Sequence, residues 1–284
     1  MEHFDILIIG AGAAGIAAAK GAWFAGCRSI AMVDRKAKMG GVLLQCAHSG
    51  FGAFQTGPEY TRKLLTDFPE AIQFYSNTTV LKILPERVAI LSGGRRIGFR
   101  QLILATGCRE IPLGALRVAG TRPQGVYTAG QMQEMMNLHG FVPEGPVVIL
   151  GSGDLGLIMA NQIARLGCDV TILEKRDVCG GMARNQKCLQ NQSIRLLCGT
   201  TIAKVCGERI LTDVITTEGT VIPCKTLLVA VGLRPDREVV FGLENEPWLS
   251  ICGNCKMVHP MVESVVSEGK QTGITAWENI RGSL

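Results

Sequence analysis

Residues 4–15 read FDILIIGAGAAG, an apolar run that leads directly into a glycine-rich stretch. Residues 147–156 repeat this plan as VVILGSGDLG. A strand followed by GxGxxG and then a helix rich in Ala, Ile or Leu is typical of a unit that binds a dinucleotide. The first glycine permits a tight turn, the second lets the backbone approach a pyrophosphate, and the third packs the helix on the strand. We therefore predict an α/β fold with two Rossmann-like domains, each doubly wound in three layers.

Each glycine-rich stretch is followed by a second apolar strand that ends in an acid. Residues 29–33 lead to Asp34, and residues 169–173 lead to Glu174. Such a carboxylate can accept hydrogen bonds from a ribose diol, while the helix N-terminus attracts the phosphates. Two complete sites predict two nucleotides in one chain, and therefore electron transfer between them.

The composition is that of a globular protein, with 47% hydrophobic and 19% charged residues. The net charge of +5 comes from scattered basic residues, so nucleic-acid binding is not expected. We expect no membrane span, because no run of about 20 apolar residues is free of charge. The first strand begins too close to Met1 for a signal peptide, and the eleven Cys then predict reduced thiols and a cytoplasmic protein.

The elements predicted along the chain place the domain boundaries. Short β-type runs predict a meander that ends in a buried strand; they are residues 72–75, 79–81, 88–91, 97–99 and 102–104. Residues 112–125, punctuated by Pro and Gly, predict a crossover, and after Pro235 the chain is expected to return to the first domain. A final helix is predicted over residues 260–270, with Pro260 in its first turn. The predicted domains are a discontinuous one over 1–111 and 240–284, and a continuous one over 112–239.

With these motifs the chain resembles the two-dinucleotide-binding-domain flavoproteins, the pyridine nucleotide-disulfide oxidoreductase superfamily, over essentially its whole length. The resemblance implies that the N-terminal fingerprint binds FAD and that the internal one binds NAD(P)H. It also implies a turn that closes each half, here residues 105–107 (ATG) and 230–232 (AVG). A late Gly-Asp motif should hold the ribityl-phosphate end of the flavin. Here that motif is Gly253-Asn254, and the segment before it is shorter than in relatives.

A narrower resemblance rests on residues 40–52, GGVLLQCAHSGFG, and on the short motifs GCRE, GTRP and TAG at 107–110, 120–123 and 128–130. These motifs resemble the bacterial FAD/NAD-linked subunits that accompany anaerobic glycerol-3-phosphate or amino-acid dehydrogenases. The resemblance implies two partners, a small Cys-rich or iron-sulfur protein and a second flavoprotein dehydrogenase subunit.

The dithiols that the superfamily uses for disulfide reduction are absent from their usual positions. Alignment on Gly40-Gly41 places the CxxxxC positions at Leu43 and His48, and residues 109–150 contain no Cys. Residues 252–255 read CGNC, which is a CxxC, but they coincide with the expected flavin turn. No second CxxC exists that could complete a zinc site, so no metal is predicted. Classical disulfide reduction is therefore not expected.

Three residues in segments expected at the flavin are candidate catalytic residues: Cys46, His48 and His259. Cys46 is either a flavin-side thiol or a small packed residue, and alone it cannot cycle as a dithiol. Hydride transfer requires stacking and alignment more than a base. Glu174 favours NADH, since its charge would repel the 2′-phosphate of NADPH, although Lys175 and Arg176 follow it directly.

The remaining site residues follow from the fingerprints and the resemblance. The start of the final helix, at Met261 and Val262, is expected to face the O2 edge of the flavin. The FAD site is predicted to contain Gly10, Gly12, Ala13, Ala14, Gly15, Asp34, Arg35, Gly40, Gly41, Val80, Ala105, Thr106, Gly107, Gly253, Asn254, Met261 and Val262. The NAD(H) site is predicted to contain Gly151, Gly153, Asp154, Leu155, Gly156, Glu174 and Gly232.

These residues favour an FAD-dependent NAD(P)H oxidoreductase that exchanges electrons with a partner dehydrogenase subunit. Two alternatives stay open. One is a stand-alone NADH oxidase or quinone or dye reductase, which would turn over vigorously by itself. The other is a non-catalytic, nucleotide-binding scaffold subunit, whose flavin, if any, NADH would not bleach.

Overall fold

The computed structural model of the protein describes residues 1–282. The helices are α1 (Ala13–Phe24), α2 (Gly57–Leu65), α3 (Ala129–His139), α4 (Asp154–Ala164), α5 (Ala183–Gln186) and α6 (Val262–Arg281). The strands are β1 (Glu2–Ile9), β2 (Ile30–Val33), β3 (Ser49–Phe51), β4 (Gln55–Thr56), β5 (Gln73–Tyr75), β6 (Val80–Leu84), β7 (Val88–Leu91), β8 (Arg96–Leu104), β9 (Cys108–Glu110), β10 (Ala119–Gly120), β11 (Val126–Thr128), β12 (Val147–Leu150), β13 (Val170–Leu173), β14 (Ile194–Leu197), β15 (Ile202–Cys206), β16 (Asp213–Thr216), β17 (Val221–Pro223), β18 (Thr226–Val229), β19 (Leu233–Pro235) and β20 (Leu249–Ile251). No helix within these residues is long and apolar enough to cross a membrane.

The chain divides into two compact units, and the first of them is discontinuous. The first unit comprises Met1–Arg109 and the segment from Arg234 onward, and the second comprises Glu110–Leu233. The predicted boundaries, after residues 111 and 239, lie further along the chain. Residues just after 233 belong to the first unit because Asp236 N–H donates to Gly107 O at 3.0 Å and Arg109 Nε donates to Asp236 Oδ2 at 2.7 Å. The last two residues of the predicted segment 240–284 lie outside the described residues.

The first unit is built on a seven-stranded sheet in the order β5-β2-β1-β8-β7-β6, in which β20 also pairs with β8. The predicted separate runs 97–99 and 102–104 form one strand, β8, because β1 pairs along both runs, from Ile97 to Leu104. Its first half pairs antiparallel with β7, and its second half pairs parallel with β20. The run 72–75 is not part of a meander, since β5 lies parallel to β2.

The second half of the central strand β1, Ile6–Ile9, is buried on both faces, as its continuous apolar sequence predicts. Ile6 and Ile8 pack under the helices α1 and α6, whereas Leu7 and Ile9 pack on the opposite face. The helix α6 begins at Val262, two residues after the predicted first turn at Pro260, because Met261 still has extended backbone angles. It continues well beyond the predicted end at residue 270.

The second unit repeats the plan of the first. A five-stranded parallel sheet has the order β11-β18-β12-β13-β14, and a smaller sheet has the order β10-β15-β16-β17. Residues 112–125 are not only a crossover, because they contribute β10 to the smaller sheet. The predicted α/β fold with two Rossmann-like halves is confirmed.

Candidate functional site

Three glycines with different surroundings shape the turn after β1. Gly10 has a φ of +101°, and a Cβ there would overlap Ala105 O. A Cβ on Gly15 would overlap Gly10 O, so the start of α1 packs directly on the turn. Gly12 has an ordinary φ of −78°, and the nearest atom to a Cβ there would be Gly41 Cα at 4.0 Å. The space at Gly12 is therefore open, as a bound pyrophosphate requires.

The turn after β12 has the same construction. Gly151 has a φ of +104°, and a Cβ there would overlap Ala230 O. A Cβ on Gly156 would overlap Gly151 O, whereas a Cβ on Gly153 would have no neighbour within 4 Å. In both turns the fold requires the outer two glycines, and the middle one leaves room for a ligand.

Asp34 lies at the end of β2, beside the first turn. Its Oδ2 accepts a hydrogen bond from Ala11 N–H at 2.7 Å, and its Oδ1 accepts one from Lys36 N–H at 2.8 Å. These bonds hold the carboxylate at a cleft of the first unit. The cleft is lined by Ile9, Gly10, Val33, Asp34, Arg35, Thr78, Thr79, Val80, Thr106, Arg109, Asp236 and Val239. It therefore brings together Gly10, Asp34, Arg35, Val80 and Thr106 from the predicted FAD site.

Several residues of this cleft were not selected by sequence reasoning, among them Thr78, Thr79, Arg109 and Asp236. Arg109 Nε donates to Asp236 Oδ2 at 2.7 Å, and its Nη1 lies 3.3 Å from Glu238 Oε2. The hydrogen bond to Asp236 raises the pKa of the Arg109 guanidinium. In the sequence, the feature that could have identified Arg109 as a residue of this cleft is its position two residues after the turn 105–107.

Glu174 occupies the position in the second unit that Asp34 occupies in the first. Its Oε2 accepts from Ser152 N–H at 3.0 Å and from Ser152 Oγ at 2.5 Å. Its Oε1 accepts from Arg176 N–H at 3.0 Å and from Arg176 Nε at 2.9 Å. Burial raises the pKa of Glu174, but the hydrogen bonds from Arg176 and Ser152 outweigh it and lower the pKa to about 2.

Oε1 of Glu174 therefore already accepts two hydrogen bonds, and Oε2 accepts three, because Arg176 Nη2 also donates to it at 3.4 Å. A ribose hydroxyl could bind only by replacing one of them. The Arg176 side chain is 60% exposed, whereas that of Glu174 is only 8% exposed, so the guanidinium is the partner that can move away.

Asp154 and Leu155 begin the helix α4 at the second turn. Asp154 Oδ1 accepts from Met182 N–H at 2.8 Å and from Asn185 Nδ2 at 2.6 Å, so its carboxylate ties the helix start to the segment after β13. Leu155 packs against the core of the second unit. Leu155 therefore contributes packing, whereas Asp154 links the start of α4 to the segment after β13.

The two closing turns are matched in the same way. Ala105 N–H donates to Ile9 O at 2.8 Å in the first unit, and Ala230 N–H donates to Leu150 O at 2.8 Å in the second. The glycine that ends each turn has a positive φ, +77° at Gly107 and +139° at residue 232. Each closing turn therefore lies directly beside the glycine-rich stretch of its own unit.

Residues 4–250 match the family model of the pyridine nucleotide-disulphide oxidoreductases. The chain belongs to this family. Its members are oxidoreductases that use FAD and NAD(P)H. The open spaces at Gly12 and Gly153 are the room that two such dinucleotides need, so the residues present fit the cofactors of the family.

Among its curated relatives, a subunit of the opine oxidase of Agrobacterium tumefaciens (strain Ach5) is 30% identical over 190 residues, which cover 61% of this chain and 37% of that protein. The alpha subunit of the sarcosine oxidase of Rhizobium meliloti (strain 1021) is 31% identical over 219 residues, which cover 70% of this chain and 21% of that protein. The chain thus spans well under half the length of these relatives. Among solved structures, thioredoxin reductase of T. acidophilum superposes with a TM-score of 0.82 at 19% identity, covering 99% of this chain and 100% of that one. The last likeness concerns the fold.

The segment after β2 contains the pair Gly40-Gly41 and the candidate residues Cys46 and His48. Gly40 N–H donates to Ala11 O at 2.7 Å, so the pair Gly40-Gly41 lies against the glycine-rich stretch. Cys46 is buried, and burial raises the pKa of its thiol to about 12. Cys46 therefore stays protonated at neutral pH and packs as a small residue. The His48 ring lies 5.2 Å from the Phe51 ring.

The late turn, Gly253-Asn254, packs on α1 and closes on itself. Gly253 has a φ of +68°, and a Cβ on it would lie 2.7 Å from Ala14 Cβ, so the turn is packed tightly on α1. Asn254 Oδ1 accepts from His259 N–H at 3.0 Å. The amide oxygen thus closes the loop on itself, and the amide nitrogen is the polar atom that Asn254 retains for a ligand.

The CxxC of this turn consists of two buried free thiols. Burial raises the pKa of both, and that of Cys252 reaches about 12. Cys255 Sγ lies 3.1 Å from Leu104 O and from Cys252 O. Neither thiol has the exposure and lowered pKa of a reactive cysteine. The part of the chain that the structure describes also contains no cluster of three or more His, Cys, Asp or Glu that could hold a metal ion.

Proposed function

We propose that the protein is an FAD-dependent NAD(P)H oxidoreductase that exchanges electrons with a partner dehydrogenase subunit. The observation that carries the proposal is the pair of matched turns, each with an open middle glycine and a carboxylate at the following strand. Two nucleotide sites of this kind in one chain are what a two-cofactor hydride transfer requires. FAD, when bound, supplies the hydride acceptor for NAD(P)H.

We assign FAD to the first unit, which lies close to the predicted segments 1–111 and 240–284. Its pyrophosphate would lie at Gly12, its adenosine ribose at Asp34, and its adenine near Val80. We assign the second unit to NAD(H), with Gly153 at the pyrophosphate and Glu174 at the ribose. The start of α6, at Met261 and Val262, remains our proposed neighbour of the flavin O2 edge.

Two observations support a partner subunit rather than disulfide reduction by this chain. The opine oxidase and sarcosine oxidase relatives are subunits by their names, and both are longer than this chain. The only CxxC, at residues 252–255, is buried, which disfavours a working dithiol. A second flavoprotein subunit, with a small Cys-rich or iron-sulfur protein, is the proposed partner set. The glycerol-3-phosphate or amino-acid substrate would be oxidised there.

The purified protein is expected to be yellow and to release FAD, not FMN, on acid treatment. FMN has neither the second phosphate nor the adenosine ribose that the first turn and Asp34 are built to bind. Chromatography of the released cofactor identifies it. Release of FMN, or a protein that stays colourless when FAD is added, would contradict the proposal. Anaerobic bleaching by NADH together with slow turnover of the chain alone would separate a complex subunit from a stand-alone oxidase.

NADH is expected to reduce the bound flavin more efficiently than NADPH, and Glu174→Ala is expected to narrow that preference by about 1–2 kcal/mol. The carboxylate repels a 2′-phosphate and also engages Arg176. Its removal frees the guanidinium to bind that phosphate. Anaerobic stopped-flow reduction with each nucleotide measures the effect.

The double variant Glu174→Ala/Arg176→Ala is the matched control, and it should lose the gain toward NADPH. If the single variant keeps the wild-type selectivity, groups other than Glu174 and Arg176 set it.

A further inference from the structure

Glu268 is the point at which three hydrogen-bond donors of the late turn meet. Its Oε2 accepts from Gly253 N–H at 2.8 Å and from His259 Nε2 at 3.0 Å. Its Oε1 accepts from Lys256 Nζ at 2.8 Å. The internal bond from His259 N–H to Asn254 then fixes the middle of the same loop. One side chain of α6 therefore holds the loop at its beginning, its middle and its end.

The second half of the loop depends most on these bonds. The first half has a further anchor, because the Arg237 guanidinium donates to Cys255 O and Lys256 O. Beyond that point the chain leaves the core, and Met257 is 61% exposed. A segment with little apolar burial is ordered by its polar contacts. Glu268, whose side chain is only 20% exposed, supplies such contacts, and two of them involve charged or chargeable partners, which strengthens them.

We propose that Glu268 is a positioning residue for the flavin site: it fixes the Gly253-Asn254 turn and holds His259 with its proton on Nε2. This inference rests on the function proposed above. Because the carboxylate accepts at Nε2, the neutral imidazole carries its proton there, and Nδ1 is left as the acceptor. A carboxylate that selects the tautomer of a neighbouring histidine is a common way to orient that ring. Lys256 balances the charge of Glu268, so an unpaired carboxylate in this half-buried place is avoided.

The order of the loop can be tested in the apoprotein. Glu268→Ala should speed amide hydrogen exchange in a peptide spanning 253–259 by about tenfold or more, since the acceptor of Gly253 N–H and two side-chain anchors of the loop are lost. Glu268→Gln keeps one acceptor oxygen and should recover part of the protection. Glu278→Ala removes an exposed glutamate of the same helix and should change nothing. Unchanged exchange in Glu268→Ala would overturn the proposal.

The histidine tautomer gives a readout that loss of folding alone does not mimic. The ¹⁵N shifts of the His259 ring, assigned with a His259→Gln variant, should show a protonated Nε2 in the wild type and a mixture of tautomers in Glu268→Ala. Retention of the Nε2–H tautomer in Glu268→Ala would contradict the assigned role.

FAD titration of the same apoproteins connects the loop to the cofactor. Glu268→Ala should weaken FAD binding by about tenfold relative to the wild type, with Glu278→Ala unchanged. Faster exchange with unaltered FAD affinity would show that the loop lies outside the flavin site and would overturn the positioning role. A wild-type protein that binds no FAD would overturn the proposed function instead, while exchange and ¹⁵N shifts would still decide whether Glu268 anchors the loop.

Discussion

Gly12→Val is expected to abolish FAD binding and to leave the apoprotein folded, and Gly153→Val is expected to do the same to NAD(P)H binding. Both glycines have φ values that Val adopts, −78° and −64°, with extended ψ. A side chain at either site meets little protein, so the free energy of unfolding should change by only about 1 kcal/mol. The added methyl groups would fill the space assigned to a pyrophosphate, and affinity should fall by about 100-fold or more.

The two variants are controls for each other. Gly12→Val should still bind NADH in the second unit, as measured by calorimetry, and Gly153→Val should still purify with FAD at the wild-type stoichiometry. Thermal unfolding of the apoproteins verifies that each variant is folded. Full FAD occupancy in Gly12→Val would mean that the flavin pyrophosphate does not lie over this turn.

The glycine-rich stretches allowed the fold to be predicted because each constrains its own neighbourhood. Gly10 has a φ near +100°, and at Gly15 a Cβ would overlap the backbone of the turn. These two requirements leave few alternatives to a strand, a turn and a helix in this order. The apolar run directly before Gly10, residues 6–9, requires a strand buried on both faces. These requirements are local, so they can be predicted from the residues of this segment without knowledge of the rest of the chain.

Other features depend on contacts between distant segments, and sequence patterns do not encode them. The join of two predicted runs into β8 follows from the pairing of both runs with β1. The inclusion of residues after 233 in the first unit follows from the bonds of Asp236. The contact between Glu174 and Arg176 could be predicted, because the two lie two residues apart, but the geometry of its hydrogen bonds could not. Glu268 lies 15 residues from Gly253 and carries no motif that would have drawn attention to it.

Gly273→Val is expected to lower the free energy of unfolding by about 3 kcal/mol, since it would separate two helices that touch backbone to backbone. A Cβ on Gly273 would overlap Ala18 O, and one on Gly269 would overlap Ala14 O, so neither contact can relax by turning a side chain. Val has a better helix propensity than Gly, and this offsets less than about 1 kcal/mol of the loss of stability. The exposed-face variant Thr275→Ala serves as the control and should change the free energy by less than about 0.5 kcal/mol.

Chemical denaturation of the apoproteins measures the loss of stability, and FAD titration shows whether it reaches the site. Because α1 begins at the first glycine-rich turn, a shift of α1 away from α6 would move the N–H groups that face the pyrophosphate. Gly273→Val should therefore weaken FAD binding even under conditions in which it is fully folded, whereas NADH binding in the second unit should be retained. Wild-type stability in this variant would contradict the close helix contact, and weakened FAD binding without any loss of stability would place the coupling elsewhere than in the packing of α1 on α6.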